Sequence, residues 1–441
     1  MKTLYGWGRY PKIKANIVYP NSIEELTRII KNKPGSLIAR GNGRSYGDAS
    51  INKNLTVSTL KLNKFINLDN KKGELIIQAG VLFADIIDIC LPKGWFPYVT
   101  PGTKFITVGG AIASDIHGKN HHLEGSFGNF VNWFEIIDIN GKLQRCSNLE
   151  NKNLFDLTIG GMGLTGIITK CSINLRKVQS GWIKQKIVIN KNLNETINSF
   201  ESFNDSLYSV AWIDCLSSGK NLGRSVLMLG EHALNEDLVS DQELFPKQKK
   251  QILSLLFNLP SFVLNNITVK IFNKFYYFIS SLKSIKNTTD WDSYFYPLDS
   301  IKNWNRLYGK KGFFQFQCIL PIDKSFQGYS DILKVIQNNS SGAFLAVLKK
   351  FGKGNAFLSF PEEGFTLALD FKINKKNLSM VKLLENIVIK NGGKFYLSKD
   401  ATLSSKTFKD SSVDIENFLN LVQKKSKGIE FSSELSKRLE I

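Results

Sequence analysis

The feature that most constrains this chain is a glycine-rich stretch near its N-terminus. An apolar run at residues 37–39 leads into the sequence RGNGRSYGD at residues 40–48. Glycine admits positive φ angles and lets a ligand approach the peptide plane, so successive amide N–H groups can point at one anion. The stretch therefore predicts a loop that binds a phosphate or pyrophosphate, rather than an ordinary turn between two strands.

A second glycine-rich stretch strengthens this prediction. PGT at residues 101–103 is followed by TVGGAIASDIHGKNHH at residues 107–122, which holds three of the four histidines of the chain. Two such loops predict one large cofactor. Gly41, Gly43 and Gly47 do not form GxGxxG in register, and no acidic residue follows at the spacing that a ribose hydroxyl needs. A Rossmann fold with NAD is therefore not expected.

Charge and cysteine content narrow the class of protein. A net charge of +20 over 441 residues fits nucleic acid, an anionic membrane surface or a phosphorylated ligand. The excess is scattered and lysine-rich, without a recognisable nucleic-acid-binding motif, which leaves a basic nucleic-acid-binding protein as a remote alternative. The cysteines predict reduced thiols in a cytoplasmic protein, because their number is odd and they form no CxxC pair: Cys90, Cys146, Cys171, Cys215 and Cys318.

Three motifs together carry a family resemblance. The two glycine-rich stretches and GGMGLTGII at residues 160–168 resemble FAD-dependent oxidases of the vanillyl-alcohol-oxidase superfamily. More closely, they resemble the decaprenylphosphoryl-β-D-ribose oxidase family, the flavoprotein half of an epimerase that converts a lipid-linked ribose to arabinose. Later stretches match as well: YSVAWID (208–214), YPLDSIKNWNRLYGKKGFFQFQ (296–317), FYLSKD (395–400) and SKRLE (436–440).

The resemblance implies an α+β fold with two domains. Residues 1–178 and 394–441 would form a two-part FAD-binding domain of vanillyl-alcohol-oxidase type, and residues 179–393 a substrate domain with an antiparallel sheet flanked by helices. Hydrophobic patterning predicts a helix after Ser22, a second helix over 378–390, and strands over 313–320, 343–348 and 365–371.

Residues 231–290 are less regular. They contain the basic run PKQKK at 246–250 and an apolar stretch from Ile252 to Phe278, which Pro260 and several asparagines interrupt. No segment of the chain reaches the ~20 apolar residues of a membrane span, and the N-terminus lacks a signal-peptide pattern. The stretch predicts a pair of domain helices or a flexible cap, which is the favoured interpretation, or a segment that lies on the inner face of a membrane. The resemblance implies a mobile cover over the substrate site in this region.

The resemblance also implies a set of cofactor-binding residues. Some relatives tether FAD through a histidine in the first glycine-rich loop, whereas this chain has Arg44 at that position, so we expect non-covalent FAD. Arg44 would face the pyrophosphate. The expected FAD-binding residues are Arg40, Gly41, Asn42, Gly43, Arg44, Ser45, Tyr46, Gly47, Gly102, Thr107, Gly109, Gly110, Ser114, His117, Ile167 and Tyr396.

Three residues are expected at the reacting atoms. A flavin takes hydride while a base accepts the hydroxyl proton, and a fixed cation stabilises the charge that develops on the reduced ring. By resemblance Lys399 is the active-site lysine beside the flavin and the sugar, and Tyr46 and His117 lie against the flavin ring. A pKa near neutrality would let His117 assist proton transfer, so the sequence leaves open whether Lys399 or His117 accepts the proton. His121 and His122 are adjacent rather than four residues apart, so no metal site is expected.

For the sugar phosphate, the resemblance points to six residues. Gln315 and Gln317 would project from one face of a strand, and a lysine can pair with a phosphate. The six are Gln315, Gln317, Lys349, Lys399, and the pocket walls Trp212 and Tyr296. The chain departs from the family pattern at Ala368, where many actinobacterial members have cysteine, and at Thr366, which replaces an amide; thiol chemistry at position 368 is therefore excluded.

The leading hypothesis is an FAD-dependent oxidoreductase that oxidises the 2-hydroxyl of a polyprenyl-phosphate-linked ribose to a ketone. A short-chain NAD(P)H-dependent keto-reductase would then complete the epimerisation. The same cofactor domain would serve an oxidase of a soluble polyol or aldonolactone equally well, so this alternative stays open.

Overall fold

The computed structural model describes residues 1–441 except 33–34, 240, 252, 261–264, 283–285, 356, 412–414 and 423–428. Ile252, where the predicted apolar stretch begins, lies outside the described residues. The described strands are β1 (Lys2–Leu4), β2 (Ile13–Ala15), β3 (Ile17–Val18), β4 (Gly35–Arg40), β5 (Leu55–Ser58), β6 (Phe65–Asp69), β7 (Glu74–Gln78), β8 (Trp95–Pro97), β9 (Val131–Ile137), β10 (Leu143–Ser147), β11 (Ile167–Lys177), β12 (Trp182–Asn190), β13 (Tyr208–Ile213), β14 (Ser225–His232), β15 (Leu253–Ser254), β16 (Lys286–Asp290), β17 (Ile301–Lys302), β18 (Phe313–Leu320), β19 (Ala346–Phe351), β20 (Gly364–Lys372), β21 (Lys394–Phe395) and β22 (Ile429–Phe431).

Helices and strands together give the α+β class that was predicted. The described α-helices are α1 (Ile23–Lys31), α2 (Phe83–Cys90), α3 (Val108–Ala113), α4 (His121–Glu124), α5 (Lys152–Thr158), α6 (Leu193–Ser202), α7 (Asn266–Leu282), α8 (Trp291–Phe295), α9 (Ile322–Asn338), α10 (Lys375–Lys390), α11 (Ser405–Ser411), α12 (Ile415–Val422) and α13 (Glu434–Leu439).

Local sequence signals explain several boundaries. The predicted helix after Ser22 is confirmed, because the Ser22 hydroxyl accepts a hydrogen bond from the Glu25 N–H at 3.2 Å and caps α1. The strand predicted over 313–320 has these bounds in β18. The helix predicted from 378 begins three residues earlier, since Asn374 caps it through the Asn377 N–H. The strand predicted over 343–348 runs over residues 346–351 as β19.

A small parallel sheet holds the first glycine-rich loop. Its strand order is β22-β4-β5-β3, so residues near the C-terminus pair with β4, the strand that leads into the loop. The loop begins where β4 ends, at the carboxyl end of a parallel strand, which is where ligands bind in open sheets of this kind. An antiparallel sheet, β10-β9-β11-β7-β6 with β8 paired to β11, packs on α2, α3 and α5 around a separate apolar core.

An eight-stranded antiparallel sheet forms the rest of the scaffold, in the order β16-β12-β14-β13-β19-β20-β18-β21. Alternate residues of its central strands face opposite sides, as the two-residue period of a strand requires. One side packs on α6, α9 and α10 through residues such as Phe314, Leu348 and Leu367. The other side faces the two glycine-rich loops, so the molecule brings together a loop-rich surface and a broad sheet face.

Candidate active site

A cavity of about 500 Å³ separates the glycine-rich loops from the eight-stranded sheet. This volume lies in the range of small-molecule and cofactor sites, about 300–1,000 Å³. Thirteen of the sixteen expected cofactor residues line the cavity together with Lys399, although they come from distant parts of the chain. The thirteen are Gly41, Asn42, Gly43, Arg44, Ser45, Tyr46, Gly102, Thr107, Gly109, Gly110, Ser114, His117 and Tyr396.

Three expected cofactor residues do not line the cavity, and neither does one residue that was expected to form a wall of the substrate pocket. Arg40 turns away to donate hydrogen bonds to the Tyr5 carbonyl at 2.7 Å and the Ser50 hydroxyl at 3.2 Å. Gly47 packs against the Asp400 backbone, and Ile167 points into the core beneath the parallel sheet. Tyr296, expected beside the substrate, is buried in a separate aromatic cluster with Trp291 and Phe295.

Sequence reasoning missed other lining residues. Gly163, Gly166 and Ile168 belong to the GGMGLTGII motif, from which only Ile167 was selected. Because neighbouring residues of a strand face opposite sides, Ile168 faces the cavity while Ile167 does not. The motif itself was the available signal, and the error was one of parity along β11.

The first loop tests whether FAD fits this cavity. The amide N–H groups of residues 42–45 have no hydrogen-bond acceptor among the described residues, although all four residues line the cavity. Gly43 has a φ of +61°, a conformation that glycine adopts without strain. A cluster of free amide donors at the end of a strand matches the oxygens of a pyrophosphate. The cradle therefore fits FAD, whose diphosphate these amides would hold.

The second loop provides the remaining space. Gly102 has nothing within 4 Å of where a Cβ would stand, and Gly110 would meet only the Thr107 hydroxyl at 3.1 Å. Thr107 caps α3 by accepting a hydrogen bond from the Gly110 N–H. Arg44 lies over the Trp7 ring, with its guanidinium carbon 4.2 Å from the ring centroid. These contacts leave an open, glycine-lined wall against which a flat ring system can lie.

The sheet face that closes the cavity changes character from one strand to the next. Gln315 and Gln317 on β18 line it first, followed by Thr366 and Ala368 on β20. Val347 and Lys349 on β19 come next. Val210 and Trp212 on β13 and Met228 on β14 complete the face. The cavity therefore has a polar end at β18 and an apolar end at β13 and β14.

Helix α7 covers the apolar end. Phe272 and Tyr276 line the cavity, and the Tyr276 ring lies 4.8 Å from the ring of Trp212. The Phe272 ring lies 5.6 Å from the ring of Phe344, which also lines the cavity. No helix in the part of the chain that the structure describes is long and apolar enough to cross a membrane.

Lys399 lies at the polar end. Its Nζ is 4.0 Å from the centroid of the Tyr46 ring. Burial lowers the pKa of Lys399 to about 8, and the nearby Asp370 opposes this shift. Burial raises the pKa of Asp370 to about 7, against the stabilising hydrogen bond that its carboxylate accepts from Gln315 at 2.5 Å. Burial also holds the pKa of Tyr46 well above 10, so this phenol stays protonated at neutral pH.

His117 does not have the near-neutral pKa that was expected. Burial lowers its pKa well below 6.5, and the charges of Lys349, His121 and Lys399 lower it further. Its Nε2 lies 3.0 Å from the Gln317 amide nitrogen, and its Nδ1 lies 3.5 Å from Lys349 Nζ. Both ring nitrogens therefore have a neighbour from the sheet, and the imidazole is neutral at physiological pH.

Two further lysines line the same cavity. Lys349 was expected there, whereas Lys119 was not selected although it lies in the second glycine-rich stretch. Burial lowers the pKa of each to about 7, with a further lowering of Lys349 by Lys399 and of Lys119 by Lys349. Among the described residues, no carboxylate lies within ion-pairing distance of either ammonium group.

A glycine-lined cradle beside a cavity with a buried lysine is the geometry expected of a flavin-dependent oxidoreductase, and the family match shows that class. Residues 15–147 match the model of the FAD-binding domain family. FAD is thus the cofactor of this fold, and residues 42–45 supply the amides that would hold its diphosphate.

The whole chain defines the family more narrowly. It is 32% identical over its full length to decaprenylphosphoryl-β-D-ribose oxidase of Mycolicibacterium smegmatis, of which it covers 98%. It is also 24% identical to an uncharacterised protein of Streptomyces coelicolor, over 80% of this chain and 98% of that protein. Cytokinin dehydrogenase 5 of Arabidopsis thaliana is 28% identical over 39% of this chain and 34% of its own length. The chain belongs to the decaprenylphosphoryl-β-D-ribose oxidase family.

Proposed function

We propose that this protein oxidises the 2-hydroxyl of a polyprenyl-phosphate-linked ribose to the 2-keto sugar. The observation that carries the proposal is the graded sheet face, because its polar end suits a sugar and its apolar end under α7 suits a lipid tail. The full-length similarity to an oxidase of this name supports the same substrate class. A soluble polyol or aldonolactone would leave the apolar end without a ligand group, so the alternative is not favoured.

Lys399 is the proposed proton acceptor. Its pKa of about 8 leaves part of its population neutral near physiological pH, so its nitrogen has a lone pair for the hydroxyl proton. Bound FAD supplies the acceptor for the hydride that leaves C2 of the sugar. Once protonated, the Lys399 ammonium becomes a fixed cation in a buried site, where charge stabilisation is strong. His117 has sheet neighbours at both ring nitrogens, so we assign it to orienting the ring and the sugar.

Gln315, Gln317 and Lys349 are the proposed substrate contacts from the sheet. Asp370 holds the Gln315 amide, which fixes the direction in which its oxygen points. The Gln317 amide nitrogen lies 3.2 Å from the hydroxyl of Thr366, and that hydroxyl donates to the Cys318 carbonyl at 2.9 Å. Both amides are thus oriented before a sugar binds, which lowers the entropic cost of positioning it.

Anaerobic flavin bleaching tests the proposal. The purified FAD-containing protein is mixed with a polyprenyl-phosphate-linked ribose, or with a soluble polyol or aldonolactone at the same concentration, and the flavin absorbance is followed. We expect bleaching with the lipid-linked ribose and a 2-keto product by mass spectrometry. Bleaching by the soluble compounds alone would overturn the assignment of the substrate.

The ketone requires a second enzyme for epimerisation. We propose a short-chain NAD(P)H-dependent keto-reductase as the partner, because reduction from the opposite face of the sugar converts ribose to arabinose, a sugar of cell-envelope polymers. In a coupled assay, arabinose should form only when such a reductase and NAD(P)H are added to the oxidised product. Arabinose formed by this protein alone would contradict the division of labour.

We also propose that α7 contacts a membrane surface, where a polyprenyl substrate resides. Its outer face carries five apolar side chains, each between 60% and 70% exposed: Ile267, Ile271, Phe275, Phe278 and Leu282. Their spacing places them on one side of the helix, opposite the buried Val269, Asn273 and Ser280. Lys270 and Lys274 add positive charge that favours anionic lipids.

Vesicle co-sedimentation tests this contact. Replacement of Ile271 and Phe275 by serine should lower binding to phosphatidylglycerol-containing vesicles about tenfold or more, since each side chain loses apolar burial. The matched control is Leu149→Ser, because Leu149 is fully exposed but lies far along the chain from α7. Equal binding by the double variant and the control would refute the assignment of this face.

A further inference from the structure

The cavity holds more positive charge than its own residues balance. Lys119, Lys349 and Lys399 all line it. The charge of the Asp370 carboxylate acts on Lys399. Asp370 itself accepts hydrogen bonds from the Gln315 amide and the Tyr308 hydroxyl. Within the described part of the chain, none of the three lysines has an ion-pair partner. A cation removed from bulk water without a partner is costly, so this arrangement favours an anionic ligand.

The position of Lys349 shows where such an anion would lie. Lys349 is on β19, the middle strand of the graded sheet face, between the amides of β18 and the apolar residues of β13. Trp212 of β13 pairs with Val347, two residues before Lys349 on the same side of the strand. A ligand with a sugar at β18 and a lipid tail at Trp212 therefore has its linking group beside Lys349.

Lys119 comes to the same cavity from the second glycine-rich stretch, and the charge of Lys349 acts on it. Its carbonyl accepts a hydrogen bond from the Ser209 N–H at 2.9 Å, next to the cavity-lining Val210. Its Nζ donates to the Tyr294 carbonyl and lies 3.9 Å from the centroid of the Tyr294 ring. An ammonium group has three N–H donors, and one carbonyl satisfies only one of them. The protein thus holds Lys119 in place and leaves donors for a ligand.

We propose that Lys119 and Lys349 together bind the phosphodiester group of the lipid-linked substrate, which makes Lys119 a substrate-binding and specificity-determining residue. The inference rests on the proposed function, because that function supplies the phosphodiester. A bound monoanion favours the protonated form of both lysines, so two cations from the second glycine-rich stretch and from β19 hold it between the sugar and the tail. The charge of the linking group, as well as the sugar, then selects the substrate.

Ligand binding tests the pair without requiring turnover. Each ligand is titrated into the FAD-containing protein, and the change in flavin absorbance gives its dissociation constant. The two ligands are a monoanionic dialkyl phosphate and a neutral alkyl riboside. The proteins compared are the wild type, Lys119→Met and Lys119→Arg. We expect Lys119→Met to weaken the phosphodiester relative to the riboside about 10–100-fold, the value of a charge-assisted hydrogen bond. Lys119→Arg should restore most of this selectivity.

The matched control is Lys186→Met, since Lys186 also lies over an aromatic ring, 4.0 Å from the Phe203 centroid, but does not line the cavity. If Lys119→Met weakened both ligands equally, the role of Lys119 would be structural and the proposal would be overturned. If the wild type oxidises lipid-linked ribose and Lys119→Met keeps the ligand selectivity of the wild type, this inference alone would be overturned. A wild type that binds neither ligand and oxidises a soluble polyol would overturn the proposed function as well.

Discussion

The assignment of Lys399 as the proton acceptor makes a quantitative prediction about pH. With a pKa of about 8, about one tenth of Lys399 is neutral at pH 7 and about nine tenths at pH 9. At saturating lipid-linked substrate, the rate of flavin reduction should therefore rise at least about tenfold between these pH values. Because the bound phosphodiester adds negative charge near the site, the midpoint should fall at pH 8 or above.

Two variants separate this effect from a general effect of pH. Lys399→Met removes both the proton acceptor and the cation it becomes, so flavin reduction should slow by about 10³-fold or more and lose its dependence on pH. Lys394→Met is the matched control, because Lys394 forms a surface ion pair with Glu362 at 2.9 Å and lies five residues away. Single-turnover stopped-flow absorbance measures all three proteins.

The pH profile can refute the reasoning directly. A rate that falls between pH 7 and pH 9 would mean that Lys399 acts only as a charge, and the proton would then have to go to another group such as His117. Reduction of the Lys399→Met flavin at the wild-type rate would remove Lys399 from the mechanism altogether.

Three further predictions follow from other contacts. Acid precipitation should release the yellow FAD into the supernatant, because Arg44 stands where a tethering histidine would be; colour in the pellet would contradict this. Lys104→Met should lower the free energy of unfolding in urea by about 3–5 kcal/mol, because it leaves the buried Asp292 carboxylate without its cation. Lys152→Met removes an exposed ion pair with Asp156 and should lower the free energy of unfolding by only about 0.3–0.5 kcal/mol. Trp212→Ala should raise KM about 10–100-fold for a long-chain lipid phosphate and much less for a short-chain analogue; equal effects on both would argue against a tail site at Trp212.

Patterns local in the sequence predicted much of the site. Gly41 and Gly43 indicated the anion loop, and the two-residue spacing of Gln315 and Gln317 indicated one face of a strand. The same spacing could have found Asp370, which follows Thr366 and Ala368 on the cavity side of β20. Such predictions require only local information, such as the two-residue period of a strand, which can be read from residues that are close in sequence.

Electrostatics could not be predicted in the same way. The low pKa of His117 depends on Lys349 and Lys399, which lie more than two hundred residues further along the chain. The role of Lys119 likewise depends on Tyr294 and Ser209, brought to it by the sheet and by α8. Such shifts come from burial and from charges assembled by the tertiary fold, so a sequence pattern alone leaves them open.

Backbone contacts and ion pairs around the first glycine-rich loop explain how Lys399 is positioned. The Tyr46 N–H donates to the Ser398 carbonyl at 2.9 Å, and a Cβ on Gly47 would stand 2.0 Å from the Asp400 carbonyl oxygen. Arg438 pairs with both Asp48 and Asp400, at 2.8 and 2.9 Å. The cofactor loop and the segment around Lys399 are therefore bonded into one unit. Gly47 permits the close approach, and Arg438 of α13 fixes it, so these contacts set the distance between the cofactor cradle and Lys399.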